Sequence, residues 1–167
     1  MKKSKSSYDC RFLQKGVYKK LDDSKKYECL RLSNQLCFPL YAASRRVIGQ
    51  YRELLDELGL TYTQYVAMMV LWEQKSISVK ELGKLLFLDS GTLTPVLKSL
   101  ETKGFITRTR SSEDERVLIA AVTDKGMELR EKAVKVPQAV AGCISLEPGE
   151  AKTLYELLYK VLGGFEG

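Results

Sequence analysis

Two short helix patterns that meet at a tight turn, followed directly by a hairpin pattern, constrain the fold of this chain more than any other feature. Thr61–Gln64 and Ser78–Glu81 both have the residue types of a capping box, so each predicts the start of a helix. Another helix must start within a few residues of Asp89, because Pro95 is tolerated only near a helix N-terminus. Gly104 then favours a helix end. This arrangement predicts a helix-turn-helix unit.

A β-hairpin pattern follows the helix-turn-helix pattern. Residues 105–110 and 117–122 are rich in β-branched and apolar side chains, and the polar residues 111–116 between them are typical of a charged hairpin tip. Helix patterns longer than such a small domain needs lie on both sides of this unit. We therefore predict a mainly α fold with a small β wing, in which a winged helix-turn-helix domain is flanked by long dimerisation helices.

The predicted organisation has three parts. Residues 1–31 form a basic, mobile N-terminal arm, and residues 61–122 form the winged helix-turn-helix DNA-binding domain. Residues 32–60 and 123–164 together form the helical dimerisation layer.

Prolines constrain both halves of the predicted dimerisation layer. The first long helix must begin close to Pro39 or kink there, because proline lacks a backbone N–H and clashes with the preceding turn. The helix after Thr123 carries a coiled-coil-like apolar seam, which Pro137 must bend. The seam consists of Leu129, Ala133, Val136, Val140 and Cys143.

The basic charge of the chain is concentrated at its N-terminus. Residues 1–31 hold ten basic and four acidic side chains, whereas residues 32–167 hold seventeen of each. The net charge of +6 therefore says nothing about what the folded part binds.

The absence of histidine excludes several kinds of chemistry. Ser-His-Asp and Cys-His catalysis, histidine general bases and His-containing zinc sites all require that residue. The four cysteines show no C-x-x-C spacing, so neither a zinc ribbon nor a thioredoxin-like motif is expected. We expect no metal, no cofactor and no membrane-spanning segment. Scattered single cysteines without a signal peptide indicate the reducing cytoplasm.

Four stretches of the sequence carry a family resemblance. They are Asn34–Phe38, Tyr41–Arg45, Asp89–Pro95 and the wing stretch Ser112–Arg116. Together they resemble the MarR family of regulators, and more narrowly its organic hydroperoxide-resistance branch, over most of the chain. The resemblance implies a homodimeric winged-helix repressor of double-stranded operator DNA, whose cysteine is oxidised by organic hydroperoxides.

Cys37 is the candidate redox-sensing residue. It lies near a predicted helix N-terminus, where the positive end of the helix dipole favours a negatively charged sulfur. Tyrosine hydroxyls nearby can donate hydrogen bonds to the sulfur. The apolar neighbours, Phe38 among them, suit an alkyl hydroperoxide better than hydrogen peroxide. The alternative is that Cys37 is simply a small buried apolar residue.

The resemblance implies further residues around this sulfur. Tyrosines at the positions of Tyr51 and Tyr62 come from the partner subunit in that family and hydrogen-bond the reactive sulfur. Tyr41 lies one turn beyond Cys37 on the same helix face and can line the pocket. Cys143 lies in the region from which two-cysteine sensors resolve the sulfenic acid across the dimer. The alternatives are tyrosines that only fill a core, a Cys143 that only packs, and resolution by a small cellular thiol.

The helix from Asp89 and the wing are the candidate DNA-contacting elements. Hydroxyl side chains and a lysine lie on this helix, and basic residues follow along the hairpin. At the wing tip Asp114 is expected to orient the Arg116 guanidinium for the minor groove. The candidates are Ser90, Thr92, Thr94, Lys98, Arg108, Arg110, Asp114 and Arg116. The alternative is a charged hairpin that is merely solvated.

These observations predict a redox-sensing DNA-binding repressor rather than an enzyme. In this hypothesis a hydroperoxide oxidises Cys37, a disulfide forms with Cys143 of the other subunit, and the dimer releases DNA. One alternative is a thiol-dependent peroxidase that destroys the peroxide catalytically. The other is a repressor of the wider family that is released by reversible binding of a phenolic ligand.

Overall fold

A computed structural model describes residues 27–164 of the chain. Most of the predicted basic arm therefore lies outside the described residues. The chain divides into two compact units between Arg46 and Val47, and each unit is described by itself. Within residues 27–164, no helix has the length and apolar character needed to cross a membrane.

The described part of the first unit contains two 3-10 turns and the beginning of a long helix. The turns are Glu28–Leu30 and Leu32–Asn34, and helix α1 (Cys37–Gln50) begins in this unit and extends past its end. Pro39 is the third residue of α1, where its missing N–H has no intrahelical partner to lose. The prediction that this helix begins close to Pro39 is confirmed.

The second unit continues α1 and contains the other regular elements of the described chain. In chain order these are α2 (Arg52–Glu57), α3 (Tyr62–Gln74), β1 (Ser76–Ser78), α4 (Val79–Leu85), α5 (Ser90–Thr102), β2 (Ile106–Arg110), β3 (Leu118–Val122), α6 (Asp124–Ala133), α7 (Lys135–Ala141) and α8 (Pro148–Gly163). Helices α4 and α5 form the helix-turn-helix, and strands β2 and β3 form the wing. The predicted winged-helix fold is confirmed.

Side-chain caps start the helices where the sequence predicts them. The Thr61 N–H donates to Gln64 Oε1 at 3.1 Å, and the Gln64 N–H donates to Thr61 Oγ1 at 3.3 Å, which completes the capping box of α3. At α4 the Glu81 N–H donates to Ser78 Oγ at 3.2 Å. The Glu81 carboxylate, however, accepts from the Ser78 hydroxyl rather than from its backbone N–H, so the second predicted box is only half formed.

Strand β1 is an element that the sequence does not predict. It joins the hairpin as the third strand of an antiparallel sheet in the order β1-β3-β2, with Ser76 opposite Ala121 and Ser78 opposite Ile119. A strand of three residues is too short to show an alternating pattern, and its residues lie between the end of α3 and the cap of α4, so the sequence does not separate it from those helices. Its central residue, Ile77, is buried in the core.

The helix predicted after Thr123 is two helices, α6 and α7, divided at Val134. Pro137 causes the break, because it cannot donate to the carbonyl of Ala133 and its ring crowds the preceding turn. The seam also ends earlier than predicted. Val140 is buried, but Cys143 lies beyond the end of α7 and is exposed.

The core lies in the second unit, between α3, α5 and the sheet. Three leucines of α5 face inward, so the opposite face of this helix is left to solvent. The most completely buried large side chains of this cluster are Leu55, Met68, Leu71, Leu82, Leu93, Leu97, Leu100 and Ile106.

Candidate redox site and nucleic-acid interface

Cys37 is the first residue of α1, and its thiol is free and exposed. Phe38, the next residue, is also exposed, so apolar surface adjoins the sulfur. The reading of Cys37 as a small buried residue does not fit this position within the single chain. What the structure supplies is an accessible sulfur at a helix start with an aromatic ring beside it.

Tyr41 lies one turn beyond Cys37 and is held by its own helix. Arg45 Nη1 donates a hydrogen bond to the Tyr41 hydroxyl at 3.0 Å, and the guanidinium carbon lies 5.5 Å from the centre of the Tyr41 ring. Arg45 thereby orients the phenol and places a positive charge beside it. The sequence does not predict this contact, although its spacing of four residues is the usual one for helix neighbours.

Tyr51 and Tyr62 contact each other within the second unit, whereas Cys37, Phe38 and Tyr41 belong to the first. The Tyr51 and Tyr62 ring centres lie 5.0 Å apart in an edge-to-face arrangement. Burial raises the pKa of the Tyr62 hydroxyl, and the neighbouring Tyr51 raises it further. At neutral pH Tyr62 therefore keeps its proton and can donate a hydrogen bond.

Cys143 follows the C-terminal residue of α7 and its cap, Gly142. Its thiol is free and exposed, and its sulfur lies 3.6 Å from the Ala139 carbonyl oxygen. A thiol on an exposed turn is open to another thiol or to a sulfenic acid, whereas a packed seam residue is not.

The N-terminus of α5 is organised by Asp89, which caps it. The Thr92 N–H donates to Asp89 Oδ1 and the Thr92 hydroxyl donates to Oδ2, both at 2.9 Å. These hydrogen bonds, the backbone one foremost, hold the pKa of the Asp89 carboxyl below its usual value. The Thr94 hydroxyl donates to the Ser90 carbonyl at 2.6 Å. In this arrangement the Thr92 and Thr94 hydroxyls face a ligand mainly as acceptors. Ser90 and Lys98 are exposed on the same helix.

The wing tip carries an oriented arginine. Arg116 Nε donates to Asp114 Oδ1 at 3.0 Å and Nη2 donates to Oδ2 at 3.2 Å, while the Arg116 side chain stays 90% exposed. Hydrogen bonds from Arg116 lower the pKa of the Asp114 carboxyl. Asp114 thus holds the guanidinium in one orientation, as the sequence suggests. Arg110 donates to the Glu115 carbonyl and ties the strand to the tip.

Arg108 is placed differently from the other candidate arginines. Its guanidinium pairs with Glu101 of α5 at 2.5 Å, and its side chain is only 20% exposed. The hydrogen bond from Arg108 lowers the pKa of the Glu101 carboxyl. This ion pair joins β2 to α5, so the charge of Arg108 is used inside the domain and is less accessible to a ligand than that of Arg116.

A groove between α4, the start of α5 and the wing contains residues that the sequence analysis does not single out. Its volume is about 1120 Å³, and its lining includes Lys80, Lys84, Phe87, Ser90 and Arg116. The two lysines are four residues apart on α4, a spacing that places them on one helix face. In the sequence, this spacing of four residues is the pattern that could have identified Lys80 and Lys84 as a basic pair.

The described residues contain no candidate metal site. Between residues 27 and 164, histidine, cysteine, aspartate and glutamate side chains do not gather in threes in a way that could hold an ion.

Known proteins share this fold and much of this sequence. The family model described as transcriptional regulator SarA/Rot matches residues 50–133. The organic hydroperoxide resistance transcriptional regulator of Bacillus subtilis (strain 168) is 47% identical over 137 residues, which cover 82% of this chain and 93% of that protein. The chain belongs to the MarR family, in its organic hydroperoxide resistance branch.

Solved structures of AbfR from Staphylococcus epidermidis also resemble this regulator. Reduced AbfR bound to DNA is 38% identical, matches 84% of this chain and 98% of AbfR, and superposes with a TM-score of 0.69. Disulfide-formed AbfR is 36% identical, matches 84% of this chain and 99% of AbfR, and has a TM-score of 0.58.

Proposed function

We propose that this regulator represses transcription as a homodimer, and that it releases operator DNA when an organic hydroperoxide oxidises Cys37. The observation that carries the proposal is the free, exposed thiol of Cys37 at the start of α1. Its membership of the organic hydroperoxide resistance branch supports the oxidant class. AbfR, which is similar over most of the chain, is known both bound to DNA and in a disulfide form.

DNA binding is assigned to the exposed face of α5 and to the wing. Ser90, Thr92, Thr94 and Lys98 project from α5 toward a major groove, while Arg116, oriented by Asp114, enters the minor groove. Arg110 supports the wing and adds positive charge near the phosphates. Arg108 takes a structural role in this assignment, because its charge is paired with Glu101.

The redox step is a two-electron oxidation of sulfur. The Cys37 thiolate attacks the terminal oxygen of the hydroperoxide, so that an S–O bond forms and the O–O bond breaks, and the leaving alkoxide takes up a proton and departs as the alcohol. The sulfur is oxidised to sulfenic acid while the hydroperoxide is reduced. The partner's Tyr62, which keeps its phenolic proton, and the partner's Tyr51 are the proposed hydrogen-bond donors to the reacting sulfur, while Tyr41 of the same chain lines the pocket.

Cys143 is the proposed resolving thiol. The sulfenic acid of one protomer condenses with the thiol of the partner's Cys143, so that an S–S bond forms and water leaves. Such an intersubunit bond forms twice in a symmetric dimer. The exposure of Cys143 beyond α7 supports this role, because a resolving thiol must be reachable.

The proposed setting is the cytoplasm, where reduced thiols persist until an oxidant arrives. The proposal also makes the protein a stoichiometric sensor rather than an enzyme. One equivalent of hydroperoxide per reactive thiol distinguishes it from a peroxidase, which consumes many equivalents in the presence of a reductant.

The deciding experiment is an electrophoretic mobility shift with reduced protein and a DNA duplex that the protein itself enriches from a random library. Cumene hydroperoxide is expected to abolish the shift, and a thiol reductant to restore it. Cys37→Ser is expected to bind the duplex normally and to ignore the oxidant, since a hydroxyl preserves the shape but is not oxidised. Release of DNA by the oxidised Cys37→Ser protein contradicts the assignment.

The matched control is Cys143→Ser. It is expected to abolish the disulfide-linked dimer on a non-reducing denaturing gel and to leave a sulfenic acid on Cys37 that a dimedone probe labels. If a disulfide-linked dimer persists in Cys143→Ser, another cysteine of the chain is the resolving thiol.

A second candidate function, release by a small ligand, is favoured by one cleft. The cleft has a volume of about 370 Å³ and is lined mainly by apolar side chains, among them Tyr65, Met69 and Trp72, together with one basic residue, Arg130, and one acidic residue, Glu73. A phenolic ligand suits this lining, because its ring can pack on the apolar side chains while its polar group faces Arg130 or Glu73. If phenolic acids released DNA from Cys37→Ser while the hydroperoxide did not release the parent protein, this second function would replace the first.

A further inference from the structure

The turn between α4 and α5 contains an aromatic residue in a backbone conformation that favours glycine. Phe87 has a φ of 52°. Its N–H donates to the Lys84 carbonyl at 3.2 Å, and the following Leu88 N–H donates to the Gly83 carbonyl at 2.9 Å. These two bonds form the Schellman arrangement that ends a helix, in which the left-handed position is most often glycine. A side chain there strains the backbone.

Packing does not account for a phenylalanine at this position. The flanking residues Leu86 and Leu88 pack against the hydrophobic core, whereas the Phe87 side chain is 50% exposed. Half of a large apolar surface therefore faces solvent from a strained position. An outlier of this kind points to a function when its surroundings offer one.

The surroundings of Phe87 are basic. Its ring lines the groove between α4 and the wing together with Lys80, Lys84 and Arg116. Asp89 is the acidic residue of that lining, and its carboxylate is already used by the hydrogen bonds from Thr92. The groove thus combines an apolar face with positive side chains directly beside the N-terminus of α5, and of these Arg116 is also paired with Asp114 at the wing tip.

We infer that Phe87 is a DNA-contacting residue, and that this groove holds one strand of the operator duplex beside α5. The ring packs against a deoxyribose or a thymine methyl group, while Lys80 and Lys84 bind the flanking phosphates. A polyanionic strand complements the three basic side chains, and its sugars and base methyl groups complement the ring. This inference rests on the proposed DNA binding, and it extends the contact surface from α5 and the wing tip to α4.

Three substitutions at one position test the role of the ring. Phe87→Gly removes the ring and suits the left-handed backbone, Phe87→Asn removes the ring and tolerates that backbone, and Phe87→Tyr keeps the ring. We expect the glycine and asparagine variants to bind the library-selected duplex on the order of tenfold more weakly, with an unchanged or higher melting temperature. Phe87→Tyr is expected to bind like the parent.

The salt dependence of binding separates the ring from the lysines. Each phosphate contact that is lost reduces the slope of log K against log salt by about 0.9. Lys80→Gln and Lys84→Gln are therefore expected to make this negative slope less steep, whereas Phe87→Gly is expected to lower the affinity and leave the slope unchanged. Lys132→Gln, on α6 and outside the groove, is the matched control and is expected to keep the parent slope.

Several results overturn the inference. Parent-like affinity of Phe87→Gly removes the ring from the interface, and a parent-like slope for both groove lysine variants removes the phosphate contacts. A lowered melting temperature of Phe87→Gly means that the ring packs for stability, and an altered oligomeric state means that a second copy occupies the groove. If the parent protein selects no duplex at all, the proposed function fails instead, and the two failures are thus distinguishable.

Discussion

Helices α5 and α8 have similar apolar periodicity but bury very different amounts of it within one chain. Leu93, Leu97 and Leu100 of α5 are no more than 1% exposed. On α8, Leu154 is 44% exposed and Leu157 is 55% exposed, and none of the residues of this helix is buried. The periodicity of a sequence predicts that a helix has an apolar face. It does not say whether the same chain covers that face.

The difference has an energetic consequence. Full burial of a leucine side chain contributes roughly 1.5–3 kcal/mol, so the winged helix is stabilised by its own core. A helix of about 15 residues without such burial is marginal in water. Helix α8, with 16 residues, therefore depends on another surface, and a second copy of the chain is the surface that the proposed function supplies. The winged helix and α8 should consequently respond differently to the same kind of substitution.

The largest expected effect is that of Gly126→Ala. A Cβ at this buried position would lie 2.1 Å from the Phe105 carbonyl oxygen and 2.7 Å from Val122 Cγ2, so backbone must move to admit it. The Gly126 carbonyl also accepts a hydrogen bond from the Trp72 indole at 2.7 Å. We expect a loss of roughly 3 kcal/mol or more in the free energy of unfolding, measured by urea denaturation.

Gly149→Ala in α8 is the matched control. A Cβ there meets nothing within 4 Å, so we expect no loss and a gain of up to about 0.5 kcal/mol. Equal effects of the two substitutions would contradict the contrast between a packed winged helix and an open α8.

The next largest effect is expected for Leu157→Asp on α8. Because the side chain is exposed within one chain, the substitution should leave the winged helix folded, as judged by a cooperative urea unfolding transition. Because a symmetric dimer contains the position twice, dissociation should become easier by about 100-fold or more. Light scattering after gel filtration measures this, and Leu157→Met is the apolar control. A dimer unaffected by the aspartate would show that α8 is not its interface.

The elements with strong local signals could be predicted from the sequence. The start of α3 follows from the reciprocal cap of Thr61 and Gln64, and the wing follows from its β-rich strands and polar tip. The aspartate cap and Pro95 together fix the start of α5. Each of these signals lies within a few neighbouring residues, where local chemistry decides the structure.

The features that the sequence could not give depend on contacts between distant residues. Gln64 is buried and donates to Ser99 at 2.9 Å, while Lys103 reaches both Gln64 and the Gly59 carbonyl. The pairing of Arg108 with Glu101, and strand β1, likewise depend on tertiary packing. Cys143 lies beyond α7 because that helix ends at Ala141 with Gly142 as its cap, whereas the apolar periodicity of the sequence continues to Cys143.

The two wing arginines offer a smaller test, within the winged helix itself. Arg116→Ala is expected to weaken operator binding by about 1–3 kcal/mol and to leave the unfolding transition unchanged, since the side chain is 90% exposed. Arg108→Ala is expected to lower the stability measurably, because it breaks the contact between β2 and α5. Fluorescence anisotropy and thermal melts measure the two effects. A stability loss from Arg116→Ala with no change in affinity for DNA would support the alternative interpretation, in which the wing tip is a charged hairpin that is merely solvated.

The smallest expected effect is a pH-dependent change in stability that arises at the Asp89 cap of α5. Hydrogen bonds from Thr92 lower the pKa of Asp89 in the folded protein, so the carboxylate stabilises the fold above the pKa that it has when unfolded. That contribution disappears as the pH falls through the lower pKa of the folded state. Asparagine is an equally good cap without a titrating group.

Asp89→Asn should therefore keep the helix cap and remove only the part of the folding stability that depends on the negative charge of Asp89. We expect its melting temperature to lie slightly below that of the parent near pH 7, and the difference to shrink as the pH falls below the pKa of an unfolded aspartate, about 3.9, and through the lower pKa of the folded state. Thermal melts across this range measure the convergence. Because the substitution leaves the apolar face of α8 untouched, the oligomeric state should not change. A gap that stays constant with pH would mean that the Asp89 carboxylate gives the cap no stabilisation that depends on its charge.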